Sequence, residues 1–251
     1  MLSGRLGPRA RWIVTDRHGG RSRAPYATLN LADHVGDDPA AVRANRATAA
    51  GLLGVAPDRV VHMAPVHGRE VAVVGPGTTS PVAGVDALVT TAPGTAVAAM
   101  AADCVPVLLA GTSGTVVAAV HAGWLGVRDD VVGAAVESML AAGAGRVVAV
   151  LGPAVCGSCY PVPQDRVDQV AAVVPQAAAR SASGDPALDL RVGLVARLRA
   201  LDVEASVVGG CTVQDADLFS HRRDGVTGRH GAFVVLEADA GADPDGGTLG
   251  P

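Results

Sequence analysis

The chain has 251 residues, enough for one large domain or two small ones. Hydrophobic residues make up 49% of it, but only two Trp, two Tyr and two Phe are present, so a core must be built from Val, Ala and Leu. The formal charge is −4 and no long basic run occurs, which excludes nucleic acid as the main partner, since neutralising phosphates needs clustered Lys and Arg.

Residues 1–10 read as a flexible lead-in and lack the apolar stretch of a signal peptide. Residues 11–15 are a short strand candidate. The polar loop Asp16-Arg17-His18-Gly19-Gly20-Arg21-Ser22 follows. Its paired glycines let backbone N–H groups approach an anion closely, although a surface turn is the simpler reading. Asp38 followed by Pro39 has the form of an N-cap and first-turn proline, and predicts a helix over Pro39–Leu53 with Val42, Arg46 and Ala49 on helical spacing. Strand candidates lie at 60–64, 71–74, 86–90 and 95–100. Residues 101–126 then read AADCVPVLLAGTSGTVVAAVHAGWLG. Its apolar runs lead to Asp103-Cys104 and to His121, with a Gly-Thr-Ser-Gly turn between apolar segments.

Residues 128–142 predict one continuous helix, with Val131, Val132, Ala135, Met139 and Leu140 on one face and Gly143 at its C-cap. A strand at 146–151 runs into Cys156-Gly157-Ser158-Cys159. Helix is expected over 164–174 and 189–201, a weakly structured loop over 177–186, and strand over 203–208 and 231–236. Between the last two lie Cys211-Thr212 and the basic segment 219–229. From residue 238 the chain is rich in Gly, Asp and Pro and reads as a disordered tail. Residues 11–237 therefore make a single domain. With 32 Gly and 16 Pro and no strict βαβ rhythm, an α/β (α+β) fold with mixed sheets fits better than a doubly wound parallel one.

Four cysteines in a chain of this length do not form a secreted disulfide scaffold, and no apolar run reaches the ~18 residues of a membrane span. A cytoplasmic protein is the simplest expectation. Three side chains stand out as a set: His67, Cys104 and His121, each flanked by Gly, Pro or Asp at the edge of an apolar segment. Imidazole and thiolate suit zinc or copper, and three protein ligands with an open position make a catalytic zinc site. Their spacings of 37 and 17 residues match no short metal motif. Cys104 as a nucleophile with His121 as its base is a second reading. A third makes Cys104 a small buried hydrophobe and the histidines loop residues. Asp103 is a general acid/base or a turn cap. Arg222, Arg223 and Arg229 form either a solvated loop or an anion clamp. The CxxC of Cys156 and Cys159 follows Gly-Pro with no helix starting on the first Cys, so a loop with incidental thiols is expected there.

Taken together, residues 15–22 (TDRHGGRS), 26–31 (YATLNL), 35–39 with Asn45-Arg46, 66–68, 102–109 (ADCVPVLL), 121–126 (HAGWLG), 152–160 and 219–229 (FSHRRDGVTGR) resemble the bacterial multicopper-polyphenol-oxidase-like (laccase-domain) family, now regarded as purine nucleoside phosphorylases. The resemblance covers about 215 residues in order. It implies a four-layer αββα arrangement with two mixed β-sheets. It implies zinc, with copper as the alternative, on His67, Cys104 and His121. It implies phosphorolysis of adenosine, inosine and methylthioadenosine to base and ribose 1-phosphate, together with adenosine deamination. Asp103, Cys104 and His121 would be catalytic. Arg17, Asn30, Arg222 and Arg229, with the Gly19-Gly20 amides, would meet substrate and phosphate. The partners would be purine nucleoside and phosphate, without nucleic acid or membrane, in a monomer or small homo-oligomer. The chain departs from the family pattern at Pro65, where Gln is usual, at Leu125, where Arg is usual, at Pro161, where Glu is common, and at Cys156 and Ser158. A copper-dependent polyphenol oxidase and a metal-free cysteine hydrolase or peptidoglycan-precursor amidase using Cys104 and His121 are the alternatives.

Overall fold

Short runs of Val, Ala and Leu with period-two alternation dominate the middle of the chain, and two six-stranded mixed sheets result. The structure, a computed structural model, describes residues 1–238. In chain order the strands are β1 (Leu2–Leu6), β2 (Ala10–Val14), β3 (Val60–Ala64), β4 (Val71–Val74), β5 (Val82–Ala83), β6 (Ala87–Thr90), β7 (Ala96–Ala101), β8 (Val105–Gly111), β9 (Val117–Ala122), β10 (Val147–Leu151), β11 (Ala178–Arg180), β12 (Pro186–Leu188), β13 (Glu204–Val207) and β14 (His230–Leu236). The helices are α1 (Pro39–Leu53), α2 (Trp124–Arg128), α3 (Val131–Ala141), α4 (Gln164–Ala171), α5 (Leu190–Ala200) and α6 (His221–Asp224). One sheet has the order β1-β2-β14-β7-β3-β5 and the other β13-β10-β8-β9-β6-β4, with β11 and β12 a separate hairpin.

Side-chain alternation sorts the strands into layers. In β14, Phe233 and Val235 pack with Ala49, Ala50 and Leu53 of α1, whereas Ala232 and Val234 face the other sheet. In β9, Val117 and Ala119 face the first sheet while Ala118 and Val120 pack under α3 and α5. The layers are therefore α1, sheet, sheet, and the α3–α5 group, the four-layer αββα arrangement. Among the described residues no helix is long and apolar enough to cross a membrane.

Helix α1 has its expected limits. The Asp38 carboxylate accepts from the Ala40 amide at 2.9 Å, and Gly54 closes the helix in a left-handed conformation at φ 77°. Other expectations need correction. The lead-in expected at 1–10 contains β1, which pairs along its whole length with β2; its polar sequence LSGRL is that of an edge strand, stabilised by its neighbour rather than by an apolar face. The continuous helix expected over 128–142 breaks at Asp130, which turns left-handed (φ 63°). Arg197 of α5 holds the Asp130 carboxylate through two bonds of 2.8 and 2.6 Å, and the same carboxylate caps α3 at the Gly133 amide. A tertiary ion pair thus fixes a break that helical periodicity does not reveal. The loop expected at 177–186 contains the β11–β12 hairpin, and the basic segment contains the single turn α6. The tail expected from residue 238 lies outside the described residues, apart from its first position.

Register then explains where the chemistry collects. Strands β8 and β9 run antiparallel with Pro106 opposite His121, so the start of β8, just after Cys104, meets the end of β9. Strand β6 runs antiparallel to β9 with Ala87 opposite Val120, which sets Asp86 beside His121. Strand β4 is parallel to β6, bringing the loop that carries His67 to the same end. In the other sheet His230 lies opposite Ala101, so Arg229 approaches Asp103.

Candidate metal centre and substrate pocket

His67, Cys104 and His121 converge, with their ligand atoms all within 4.8 Å of one another. The two imidazoles meet edge to face, 4.9 Å between ring centres at 83°. Gly123 follows His121 by two residues and packs its bare Cα against the pair. A Cβ there would lie 2.9 Å from His67 Cδ2 and 3.2 Å from Cys104 Sγ, so only glycine leaves the donors room. His67 and Asp103 both adopt positive φ, 61° and 106°, an uncommon backbone for residues other than glycine that tends to gather at functional sites. Burial pushes the Cys104 thiol up, but the His121 and His67 rings outweigh it and bring it down to about 6. Burial pulls His121 down, yet the Cys104 sulfur and the Asp86 carboxylate raise it to about 9. Two imidazoles and a thiol poised to lose its proton are a donor set that fits zinc or copper.

Asp86 carries none of the signals that mark the trio, and in the sequence it is only the first residue of a strand. It is fully buried. Its carboxylate accepts from His121 Nδ1 at 2.9 Å and from the amides of Val66, His67 and Gly68 at 3.1, 3.0 and 2.8 Å. Burial pushes this carboxyl up, but the hydrogen bonds from His121 and the amides hold it below the usual carboxylate range. One side chain therefore fixes the His121 tautomer, leaving Nε2 for the metal, and pins the loop that presents His67. An acidic residue opening an otherwise apolar strand was the available signal.

The trio lines a cavity of about 500 Å³ together with His34, Met100, Trp124, Tyr160, Arg222 and Arg229. Asp103 reaches it too, but both of its oxygens are engaged. Thr212 Oγ1 and Ser220 Oγ donate to one at 2.6 and 2.7 Å, and the Arg222 amide donates to the other at 2.7 Å. These bonds shape the 219–229 segment. The Arg222 guanidinium lies over the Tyr160 ring, 4.7 Å from its centre. The Arg229 amide is held by Asn30 Oδ1 at 2.9 Å.

Two expected substrate contacts are not brought to this cavity. Arg17 lies over Phe219 and donates to the carbonyls of Ala27 (3.0 Å) and Ala216 (3.3 Å). Asn30 is fully buried and spends its amide on Ala32, Asp37 and the Arg229 backbone. The Gly20 amide is likewise taken, by Thr28 Oγ1 at 3.1 Å, and a Cβ on Gly20 would collide with the Thr28 carbonyl. These residues build the pocket's support. His34 and His221 line the pocket without having been singled out in the sequence, where each reads as an ordinary loop histidine. Near Leu125, where the family pattern has Arg, two other arginines gather on the neighbouring indole. Arg166 and Arg128 lie 4.5 and 5.6 Å from the Trp124 ring centre.

The sequence profile of the family described as multi-copper polyphenol oxidoreductase laccase matches residues 11–237. A purine nucleoside phosphorylase of Streptomyces coelicolor is 52% identical over 232 residues, covering 91% of this chain and 96% of that protein. One of Mycobacterium tuberculosis is 46% identical over 238 residues, covering 94% and 95%. Among solved structures, the Bacillus licheniformis hypothetical protein YfiH superposes with a TM-score of 0.85 at 27% identity, over 91% of this chain and 93% of that one. The Neisseria meningitidis protein NMB0706 gives 0.83 at 33% identity, over 94% and 99%.

Proposed function

The chain belongs to the multi-copper polyphenol oxidoreductase laccase family, and from that premise we propose that it is a metal-dependent purine nucleoside phosphorylase that also deaminates adenosine. The observation that carries the reading is one cavity lined both by the His67–Cys104–His121 donors and by two arginines, Arg222 and Arg229. The relatives bearing the phosphorylase name at 46–52% identity support it.

Phosphorolysis breaks the bond between ribose C1′ and purine N9 and joins C1′ to a phosphate oxygen. The departing purine takes up a proton. The transition state gathers positive charge on the sugar, so a positioned anion does most of the work. Arg222, stacked on Tyr160, and Arg229, anchored through Asn30, hold the phosphate. Met100, Trp124 and Tyr160 offer an apolar and aromatic surface for the base. Burial and the nearby Arg229 lower the His34 pKa against the pull of Asp33, which favours the neutral ring that accepts a hydrogen bond from a ribose hydroxyl. Asp103 positions the Arg222 loop through its three hydrogen bonds, and we assign it that role ahead of proton transfer. A cation on His67, Cys104 and His121 would supply Lewis acidity and acidify water, the chemistry that deamination requires. Zinc is the proposed ion. The four free thiols suit a reducing cytoplasm.

The test is incubation of the purified protein with adenosine, inosine and methylthioadenosine, with and without phosphate, followed by separation of the products. Free base and ribose 1-phosphate should form only with phosphate, and inosine should form from adenosine without it. Conversion of adenosine to inosine as the sole reaction overturns the phosphorylase reading. A thiol brought to about 6 beside His121 also favours a cysteine hydrolase. That reading requires amide hydrolysis by chelator-stripped protein, abolished by alkylation of Cys104.

A further inference from the structure

A second cluster of soft donors lies outside the trio. Cys156, Cys159 and Cys211 are all free, and their sulfurs lie within 4.8 Å of one another. We propose that these three thiols form a second metal site, a three-thiolate cradle for a thiophilic d10 cation such as Zn²⁺. The cation would staple the Tyr160 loop to the Cys211–Thr212 segment.

The geometry is that of a built site. Thiolate–zinc bonds of about 2.3 Å in a tetrahedral arrangement set sulfurs about 3.8 Å apart, a spacing within reach of the one observed. Cys156 and Cys159 sit at the two ends of a single 3-10 turn, Gly157–Cys159, closed by the Cys159 amide bonding the Cys156 carbonyl at 3.0 Å. The turn is anchored by the Gly157 amide donating to Asp189 Oδ2 at 3.0 Å. Its backbone fits because Gly157 has no side chain: a Cβ would come within 3.0 Å of Ala179 Cβ and 3.1 Å of Asp189 Cβ. Cys211 arrives from a remote segment through a parallel bridge to Ala154, reinforced by the Thr212 amide on the Ala154 carbonyl at 3.1 Å. The Cys156 amide donates to Cys211 Sγ at 3.3 Å, the kind of backbone support that metal-bound sulfurs receive. Ser158 Oγ stands 3.1 Å from Cys156 Sγ, so an oxygen is at hand beside the thiols. Cys211 is buried while Cys156 and Cys159 are half-buried, which leaves the open side of the triangle accessible for a fourth ligand.

Soft thiolates select zinc and monovalent copper over hard cations. Each thiol releases its proton to solvent as its sulfur–metal bond forms, and no electron moves. The consequence is mechanical. Cys159 precedes Tyr160, the ring that carries Arg222, and Cys211 precedes Thr212, whose hydroxyl donates to Asp103 at 2.6 Å and whose carbonyl accepts from Arg223 at 2.7 Å. A cation here would lock two walls of the pocket without touching its contents. The inference does not depend on which reaction the pocket performs.

The experiment is anaerobic titration of chelator-stripped, fully reduced protein with Co²⁺, read by stoichiometry and by the thiolate-to-cobalt charge-transfer band. Wild type should bind about two equivalents, and the variants Cys156→Ser/Cys159→Ser and Cys211→Ser about one, with loss of most of the charge-transfer intensity. The His67→Ala variant should keep the intense multi-thiolate band. A second readout needs no variant: Zn²⁺ should slow alkylation of Cys156 and Cys159 about tenfold or more, followed by peptide mass spectrometry. About one equivalent in wild type, unchanged by the cysteine substitutions, overturns the proposal. Equal alkylation with and without Zn²⁺, or a disulfide among these cysteines in protein purified under reducing conditions, does the same.

Discussion

Asp86 and His121 are joined twice: the Asp86 carboxylate accepts from His121 Nδ1 at 2.9 Å, and the Asp86 carbonyl accepts from the His121 amide at 2.8 Å. The second bond continues the β6–β9 ladder, so the sheet itself delivers the carboxylate to the ring. Asp86→Asn keeps the shape but cannot accept the ring proton as an anion. Metal affinity should fall about 10- to 100-fold, the usual cost of removing an outer partner of a ligating histidine. Competition against a colorimetric chelator measures it, and an unchanged affinity would remove Asp86 from the centre.

Gly123 offers a steric counterpart. In Gly123→Ala the new methyl would sit 2.9 Å from His67 Cδ2 and 3.2 Å from Cys104 Sγ. Gly123 has φ −81°, an ordinary angle for alanine, so backbone strain is not at issue. The variant should fold with an unchanged circular dichroism spectrum and lose the metal held by His67, Cys104 and His121, leaving any cation on the Cys156–Cys159–Cys211 cluster in place. Metal analysis of protein retaining a full complement would show that the ligands have slack.

What could be read from the sequence divides along physical lines. Asp38, Pro39 and the strict limits of α1 were legible because capping is local chemistry. His67, Cys104 and His121 were legible because reactive side chains stood at the ends of apolar runs, although only strand register shows that they meet. Asp130 was not legible as a helix break, since Arg197, 67 residues away, enforces it. The resemblance places Arg17 and Asn30 at the substrate, but loop backbone needs partners, and these side chains supply them. Cys156 and Cys159 read as incidental thiols because Cys211 joins them across a bridge that spacing does not encode.

The division between pocket arginines and supporting arginines is testable in kinetics. Arg222→Ala and Arg229→Ala should each raise KM for phosphate about 10- to 100-fold, the effect of a charge-assisted hydrogen bond worth about 1.5–3 kcal/mol. Arg17→Ala should leave that KM within about twofold while lowering the melting temperature, because the carbonyls of Ala27 and Ala216 lose their donor. The reverse pattern would mean that phosphate binds on the 16–22 loop.

Acid stability turns on a residue away from the pocket, His62 of β3. This ring is buried, edge-on to Phe233 with 6.1 Å between centres. Burial, with a smaller push from Arg46 against the pull of Asp33, lowers its pKa to about 3. The folded protein therefore keeps His62 neutral where the unfolded chain, with its pKa near 6.5, takes up a proton. Between those values the unfolded state binds more protons, so stability is lost as pH falls from about 6.5 toward 3 and is indifferent to His62 above 7. At about 1.4 kcal/mol per pH unit the loss reaches about 2 kcal/mol at pH 5. His62→Gln removes the titration and retains a polar group. The fall in melting temperature between pH 7 and pH 5 should be several degrees smaller in the variant than in wild type, whatever their offset at pH 7. Parallel curves would show that His62 takes up its proton without leaving the fold.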